Sequence, residues 1–211
     1  GLSMTELLVS VSIIAVLLGL SFPLFSSTRI RMQLATSVSN VRQLQLANIQ
    51  YANEHNNHYV PANAGGVLWC RNPQYRAYFG LSPKEVYFWP ERLLSPRAPL
   101  NRINGMGQMN QSYGYNISGL YDQYDLPVTK VKRPAETLAF ADALDFWIRR
   151  EYADHYNGVE VPLIHSIAYR YHINGNDRKQ QKAAVVYFDG HAEALSREQV
   201  VGNIKLWEIF Y

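Results

Sequence analysis

The feature that most constrains the fold of this chain is an apolar run without a charged residue, from Leu7 to Phe25. Extended by Leu2 to Thr5, the run is long enough to cross a bilayer core of about 30 Å. A secretory signal peptide would need a basic start, a shorter apolar run and a small-residue cleavage site, and no basic residue precedes this run. We therefore predict a membrane anchor rather than a removable signal peptide.

The nearest basic residues, Arg29 and Arg31, follow the run. The positive-inside rule places that end of an anchor in the cytoplasm, and the large remainder of the chain would lie there too. We expect the opposite orientation if a basic leader preceded Gly1 and was removed after the orientation had been set.

Composition limits what can follow the run. The chain has 211 residues, of which 47% are hydrophobic and 18% charged, and it has one cysteine, Cys70. These values fit one globular domain with its own core, and they exclude a disordered, collagenous or disulfide-stapled chain. The formal net charge of +3 is too small for a dedicated nucleic-acid binder, so we predict no specific nucleic-acid partner.

Glu6 is a carboxylate at the edge of the apolar run. A charge in that position is costly unless it meets a positive group. Two interpretations stay open. Glu6 is either a boundary residue that faces headgroups or water, or a functional residue with a positive partner.

The first eight residues are Gly1-Leu2-Ser3-Met4-Thr5-Glu6-Leu7-Leu8. This octapeptide resembles the prepilin processing site of type IV pilins and type II secretion pseudopilins. The resemblance implies that a prepilin peptidase cleaves between Gly1 and Leu2, that the new first residue is N-methylated, and that Glu6, then fifth, acts in assembly. It also implies that the helix loosens near Gly19 and kinks at Pro23. Leu2 replaces the usual phenylalanine, and cleavage one residue upstream, which would leave Gly1 as the first residue, stays an alternative.

Beyond the run, apolar residues recur every three or four positions, at Ile30, Leu34, Val38, Val41, Leu44, Ala47 and Tyr51. This spacing predicts an amphipathic helix whose apolar stripe packs on a domain. We expect one helix from Leu2 to about Ala52, bent near Pro23. The stretch from Arg42 to Pro61 is also similar to a segment of bacterial pilin-like proteins with a prepilin-type N-terminus. The predicted units are a hydrophobic transmembrane and assembly half of the helix (1–26), an amphipathic half (27–58) and a globular head (59–211).

The head mixes short β-rich runs with Gly, Pro and Asn, which predicts an α+β domain with an antiparallel sheet and long loops. Strands are predicted at Thr137–Asp142, Ala183–Asp189 and His191–Leu195, and the sheet order of 65–135 stays unassigned. Asp189-Gly190 predicts a two-residue hairpin turn with positive φ at both positions. The residues from Tyr187 to Glu193 also resemble the "FADGHVE" hairpin near the C-terminus of the same pilin-like proteins.

The residues that would suggest metal or acid–base chemistry are Asp142, Asp145, His165, His172, Asp189 and His191. Spacing alone does not bring them together, and Asp189 has a sufficient role in the turn, so we predict no catalytic residue and no cofactor. A calcium ion at Asp122 and Asp125 stays an open alternative, although no EF-hand spacing supports it. Aromatic runs such as Trp147 to Tyr152 can stack on sugars or bases, but we favour core and subunit-interface roles for them.

The predicted fold class is α+β, with a long hydrophobic pilin-like N-terminal helix that carries the head. The predicted function is that of a structural subunit of a type IV pilus-like or pseudopilus filament, which polymerises through its N-terminal helix. Its implied partners are copies of itself, the prepilin peptidase, the inner-membrane assembly machinery and, before assembly, the membrane. The implied location is the inner membrane first, then a periplasmic or extracellular filament. The alternatives are a membrane-anchored periplasmic binding or adhesive protein that does not polymerise, and a tethered enzyme.

Overall fold

The computed structural model describes residues 3–84, 87–99, 105–120, 125–160, 165–173 and 177–210, and of residues 18–26 and 110 it describes the backbone only. The α-helices are α1 (Met4–Glu54), α2 (Pro73–Ala77) and α3 (Arg197–Gly202). The strands are β1 (Asn63–Ala64), β2 (Val67–Leu68), β3 (Phe88–Pro90), β4 (Met106–Gln108), β5 (Tyr113–Asn116), β6 (Leu138–Asp142), β7 (Trp147–Ile148), β8 (Lys182–Tyr187) and β9 (Ala192–Ser196). Short 3₁₀ turns connect many of them, including Arg150–Tyr152 after β7.

Helix α1 follows the predicted periodicity over its second half. Leu34, Val41, Leu44, Ala47 and Tyr51 are all buried, because this stripe packs across β6, β8 and β9. The helix ends at Glu54, and Asn56 and Asn57 follow with φ of 54° and 58°. Asparagine tolerates this left-handed conformation better than most residues, so the pair reverses the chain into the head.

The main sheet has five strands in the order β7-β5-β6-β8-β9. All of its neighbouring pairs are antiparallel except β5 and β7, which are parallel. Every residue of β6 is buried, since one core cluster lies between α1 and the sheet and a second cluster covers the opposite face. A strand covered on both faces has a continuous apolar sequence, which explains the run from Leu138 to Ala141.

Two further antiparallel pairs, β1 with β2 and β3 with β4, lie outside the main sheet. The segments around them contribute large aromatic side chains to the first core cluster, among them Trp69, Tyr75 and Trp89. The Trp69 ring lies 4.9 Å from that of Phe140 in β6, centroid to centroid. These outer segments are therefore part of one core with the sheet and α1.

The predicted fold class was wrong in two respects. Across the residues that the structure describes, no helix is long and apolar enough to cross a membrane, so the predicted transmembrane helix is not found. The second half of α1 is amphipathic, because one of its faces packs on the head. In addition, the sheet is mixed rather than antiparallel, because β7 joins its edge parallel to β5.

Candidate functional site

Helix α1 begins with a capping box. The Ser3 hydroxyl accepts from the Glu6 backbone N–H at 3.3 Å, and the Ser3 N–H donates to the Glu6 carboxylate at 2.8 Å. Hydrogen bonding to the Glu6 carboxylate from the Ser3 backbone N–H, and then from the Ser3 side chain, lowers the pKa of Glu6. This local role was not predicted, although the pattern Ser3-x-x-Glu6 before an apolar run is typical of a capping box. Glu6 therefore has a folding role in addition to any role in assembly.

The next part of the helix exposes its apolar side chains on every side. Nine large apolar residues between positions 4 and 17 are at least 55% exposed: Met4, Leu7, Leu8, Val9, Val11, Ile13, Ile14, Val16 and Leu17. Successive residues of an α-helix point about 100° apart, so this set surrounds the helix. We call residues 4–17 the apolar segment.

Two serines in the apolar segment add little polarity to its surface. The Ser10 hydroxyl donates to the Glu6 carbonyl at 2.7 Å, and the Ser12 hydroxyl donates to the Leu8 carbonyl at 2.8 Å. Each hydroxyl thus has a partner one turn back within the helix. Contiguous apolar surface of this kind marks an interaction site in proteins that are otherwise polar outside.

The remaining residues predicted for processing and assembly are placed as follows. Gly19 and Pro23 lie within α1, where only the backbone is described. Gly1 and Leu2 lie outside the described residues, and so does Asp122 of the predicted calcium alternative. The structure therefore places Glu6 in the first turn of α1, within the apolar segment, and leaves the roles of the other processing and assembly residues as predictions.

The second half of α1 buries polar side chains against the head. Asn40 donates to the Leu94 carbonyl at 3.0 Å, and Gln45 donates to the Phe188 carbonyl at 2.7 Å. Asn48 accepts from the Val60 N–H at 2.8 Å. We call these residues, together with Ser37, the polar seam, and all four are buried. Sequence periodicity alone assigns such residues to a solvent face, so the seam was missed.

Asp142 lies at one end of the polar seam, in a buried network. Its carboxylate accepts from the Ser37 hydroxyl at 3.0 Å and from the Ala184 N–H at 2.7 Å, and the Arg170 guanidinium lies 3.7 Å away. Burial raises the pKa of Asp142, although Arg170 acts in the opposite direction. Arg170 also binds Glu160 at 2.8 Å. This network joins the helix to two strands of the sheet.

Asp189 and Gly190 lie in the turn between β8 and β9. Gly190 has a φ of +94°, whereas Asp189 does not have a positive φ, so the predicted two-residue turn was wrong in detail. The Gly190 N–H donates to the Tyr187 carbonyl at 3.0 Å, and the Tyr187 N–H donates to the His191 carbonyl at 2.9 Å. This pattern is that of a three-residue loop, in which only the last residue needs the left-handed conformation.

The other acidic and histidine residues form separate pairs rather than one centre. The Asp145 carboxylate lies 3.0 Å from the His165 ring, and that of Asp189 lies 2.6 Å from the His191 ring. Asp125 lies 3.7 Å from His58. In the part of the chain that the structure describes, no group of three or more His, Cys, Asp or Glu side chains is arranged to hold a metal ion.

Comparison with known proteins found no matching family, no matching curated protein and no matching solved structure. The resemblance to pilins therefore rests on the residues and motifs of this sequence.

Proposed function

We propose that this protein is a subunit of a pilin-like filament and that copies assemble through the apolar segment of α1. The observation that carries the proposal is the exposure of nine large apolar side chains around one short stretch of helix. A helix that is apolar on all sides needs neighbours on all sides, which a bundle of identical helices supplies.

The free energies of burial and association favour contact with several neighbouring copies over contact with one. Burying the exposed part of each side chain contributes about 1 kcal/mol, so nine contribute on the order of 10 kcal/mol when all are covered. Association of two copies costs a similar amount in lost translational and rotational freedom. A single neighbour covers only one side of the helix and leaves little surplus. Repetition of one heterologous contact covers more of it and produces an open filament.

The resemblance to pilins extends this proposal to processing and location. It assigns cleavage and methylation to the junction of Gly1 and Leu2, performed by a prepilin peptidase. It also assigns an inner-membrane location before assembly, contact with the assembly machinery there, and a periplasmic or extracellular filament afterwards. Intact-mass analysis of native protein tests the first assignment, because a methylated chain that begins at Leu2 has a defined mass.

Substitution on the apolar segment tests assembly. Ile13→Lys introduces a charge among the exposed apolar residues, and Val201→Lys is the matched control because Val201 is an exposed apolar residue of α3. We expect Ile13→Lys to abolish filaments in sheared surface material examined by electron microscopy, and Val201→Lys to retain them. Equal filament yields from both variants would overturn the proposal and favour a binding or adhesive protein that does not polymerise.

Glu6 provides a second test, because its capping and its charge can be separated. Glu6→Gln keeps a side chain that can accept from the Ser3 N–H but removes the charge, whereas Ser3→Ala weakens the cap and keeps the charge. If the carboxylate pairs with a positive group of a neighbouring copy, Glu6→Gln reduces filament number or regularity more than Ser3→Ala does. The reverse order would assign Glu6 to capping alone.

A further inference from the structure

Strands β5 and β7 are parallel neighbours, and both end at the same edge of the sheet. Asn116 pairs with Ile148 at the end of the two strands, and the Ile117 N–H then donates to the Ile148 carbonyl at 3.1 Å. Residues 117–120 follow β5, and residues 149–152 follow β7. The two loops therefore begin side by side at this edge of the sheet.

A cleft opens at this position. It consists of two adjoining cavities that share Ser118, Gly119 and Glu151. The smaller cavity, of about 40 Å³, is also lined by Arg149. The larger one, of about 190 Å³, is also lined by Arg150 and by residues 207–210. We call the two cavities together the parallel-strand cleft.

Arg149 gives the cleft a cation. No acidic side chain among the described residues lies within ion-pair distance of its guanidinium. Its Nε atom is shielded from solvent, so the terminal guanidinium nitrogens are the ones available to a ligand in the cleft. A planar guanidinium recognises a carboxylate through two parallel hydrogen bonds, so the ligand that this cation suits is an oxyanion.

Ser118 adds a hydroxyl donor beside the two arginines. Its oxygen accepts a hydrogen bond from the Arg150 backbone N–H at 3.1 Å. The hydroxyl hydrogen therefore points away from that N–H. The hydroxyl hydrogen is thus able to donate to a second oxygen of the same anion.

Glu151 restricts the kind of anion that fits. Because Glu151 lines both cavities, a multiply charged anion such as phosphate meets more repulsion there than a singly charged one. A ligand with one carboxylate and several hydroxyl groups instead donates to Glu151. Ile209 and Phe210 supply an apolar wall for the carbon skeleton, and the Phe210 ring lies 3.3 Å from the position of a Cβ built on Gly119.

We propose that the parallel-strand cleft binds a sugar acid, with its carboxylate on Arg149 and Ser118 and its hydroxyl groups on Glu151. The cleft lies on the head and includes no residue of the apolar segment, so this inference does not depend on filament assembly.

Calorimetric titration of the full chain with D-glucuronate tests the inference, with D-glucose as the neutral probe and inorganic phosphate as the multiply charged probe. We expect saturable glucuronate binding in the millimolar range, at least about tenfold tighter than that of either control, because one charge-assisted bidentate contact accounts for such a ratio. Glucuronate binding no tighter than glucose binding would overturn the proposal.

Variants locate the contact. Arg149→Gln should weaken glucuronate binding by about tenfold or more, whereas Arg97→Gln, which changes an exposed arginine outside the cleft, should leave it unchanged. If Arg149→Gln does not fold, Ser118→Ala replaces it and should weaken binding by a smaller factor. Glu151→Gln should tighten phosphate binding, because it removes the repelling charge. Unchanged glucuronate affinity in the folded arginine variant, or in Ser118→Ala, would contradict the assignment.

Discussion

The two halves of α1 treat polar and apolar side chains in opposite ways. The apolar segment exposes large apolar residues and satisfies its serine hydroxyls inside the helix. The polar seam buries Ser37, Asn40, Gln45 and Asn48, and gives each of them a partner. The seam half meets its partner, the head, within the same chain. The head is thus held on the helix by directional hydrogen bonds as well as by the buried apolar stripe, whereas the apolar segment offers only non-directional apolar surface.

The largest expected effect comes from breaking the network that ends the seam. Asp142→Ala leaves the Ala184 N–H without its acceptor, leaves the Ser37 hydroxyl with Tyr113 as its partner, and removes the buried carboxylate that faces Arg170. We expect the free energy of unfolding to fall by about 3 kcal/mol, because a buried N–H loses its acceptor and Arg170 keeps only Glu160 as an acidic partner. Denaturant unfolding measures this, and Glu136→Ala, which removes an exposed carboxylate, should change it by less than about 0.5 kcal/mol.

The pH dependence of stability sharpens the same test. Burial raises the pKa of Asp142, so the folded state binds its proton more tightly than the unfolded state. The contribution of this group is then greatest below the unfolded pKa, about 4, and declines as the pH rises through the folded pKa. As the pH rises from the unfolded pKa through the folded pKa, the unfolding free energy of the parent should fall relative to that of Asp142→Asn. A difference between the two proteins that rises with pH would instead mean that Arg170 and the hydrogen bonds outweigh burial and lower the pKa of Asp142.

A smaller effect is expected where the hairpin meets the helix. A Cβ on Gly190 would lie 3.4 Å from Leu46 and 3.5 Å from Ile49 of α1, and the residue has a φ of +94°. Gly190→Ala should destabilise the protein by about 1–2 kcal/mol through backbone strain. Gly202→Ala is the control, because Gly202 lies in α3 with open space around it, and there the melting temperature should not fall.

How much the sequence predicts differs between the parts of this fold. The periodicity of Ile30 to Tyr51 predicted the helix well, since burial on one face leaves a regular spacing. The predicted strands at 137–142, 183–189 and 191–195 agree with β6, β8 and β9 to within one or two residues. The apolar runs of β6 and β8 are nearly continuous, and the Asp189-Gly190 turn marks where β9 begins. Strand β7 has two residues, and its parallel pairing with β5 depends on contacts distant in sequence, so no local pattern indicated it.

The candidate site was predicted only in part. The apolar run before residue 18 is evident from composition, but the capping role of Glu6 required attention to Ser3. The seam residues could not be identified, because an isolated asparagine or glutamine on a helix is usually solvated and only the head explains its burial. The cleft beside Arg149 depends on two loops that meet through the sheet.

The smallest expected effect compares two amide side chains on the same helix. Asn40 is buried and donates to the head, whereas Gln43 is exposed and donates to the helix backbone. Asn40→Ala should lower the free energy of unfolding by about 1 kcal/mol, and Gln43→Ala should change it little. Calorimetric melting of the two variants measures the difference. Equal losses would mean that the seam contributes no more than ordinary surface contacts.

The position of the polar seam along α1 has a mechanical consequence. The seam extends over residues 37–48, about 17 Å of helix at 1.5 Å per residue, and its contacts reach several separate segments of the head. A force applied to the free end of the helix acts along its axis and strains these contacts together in shear, rather than one after another. The head should therefore stay on its helix under tension that would separate contacts loaded singly.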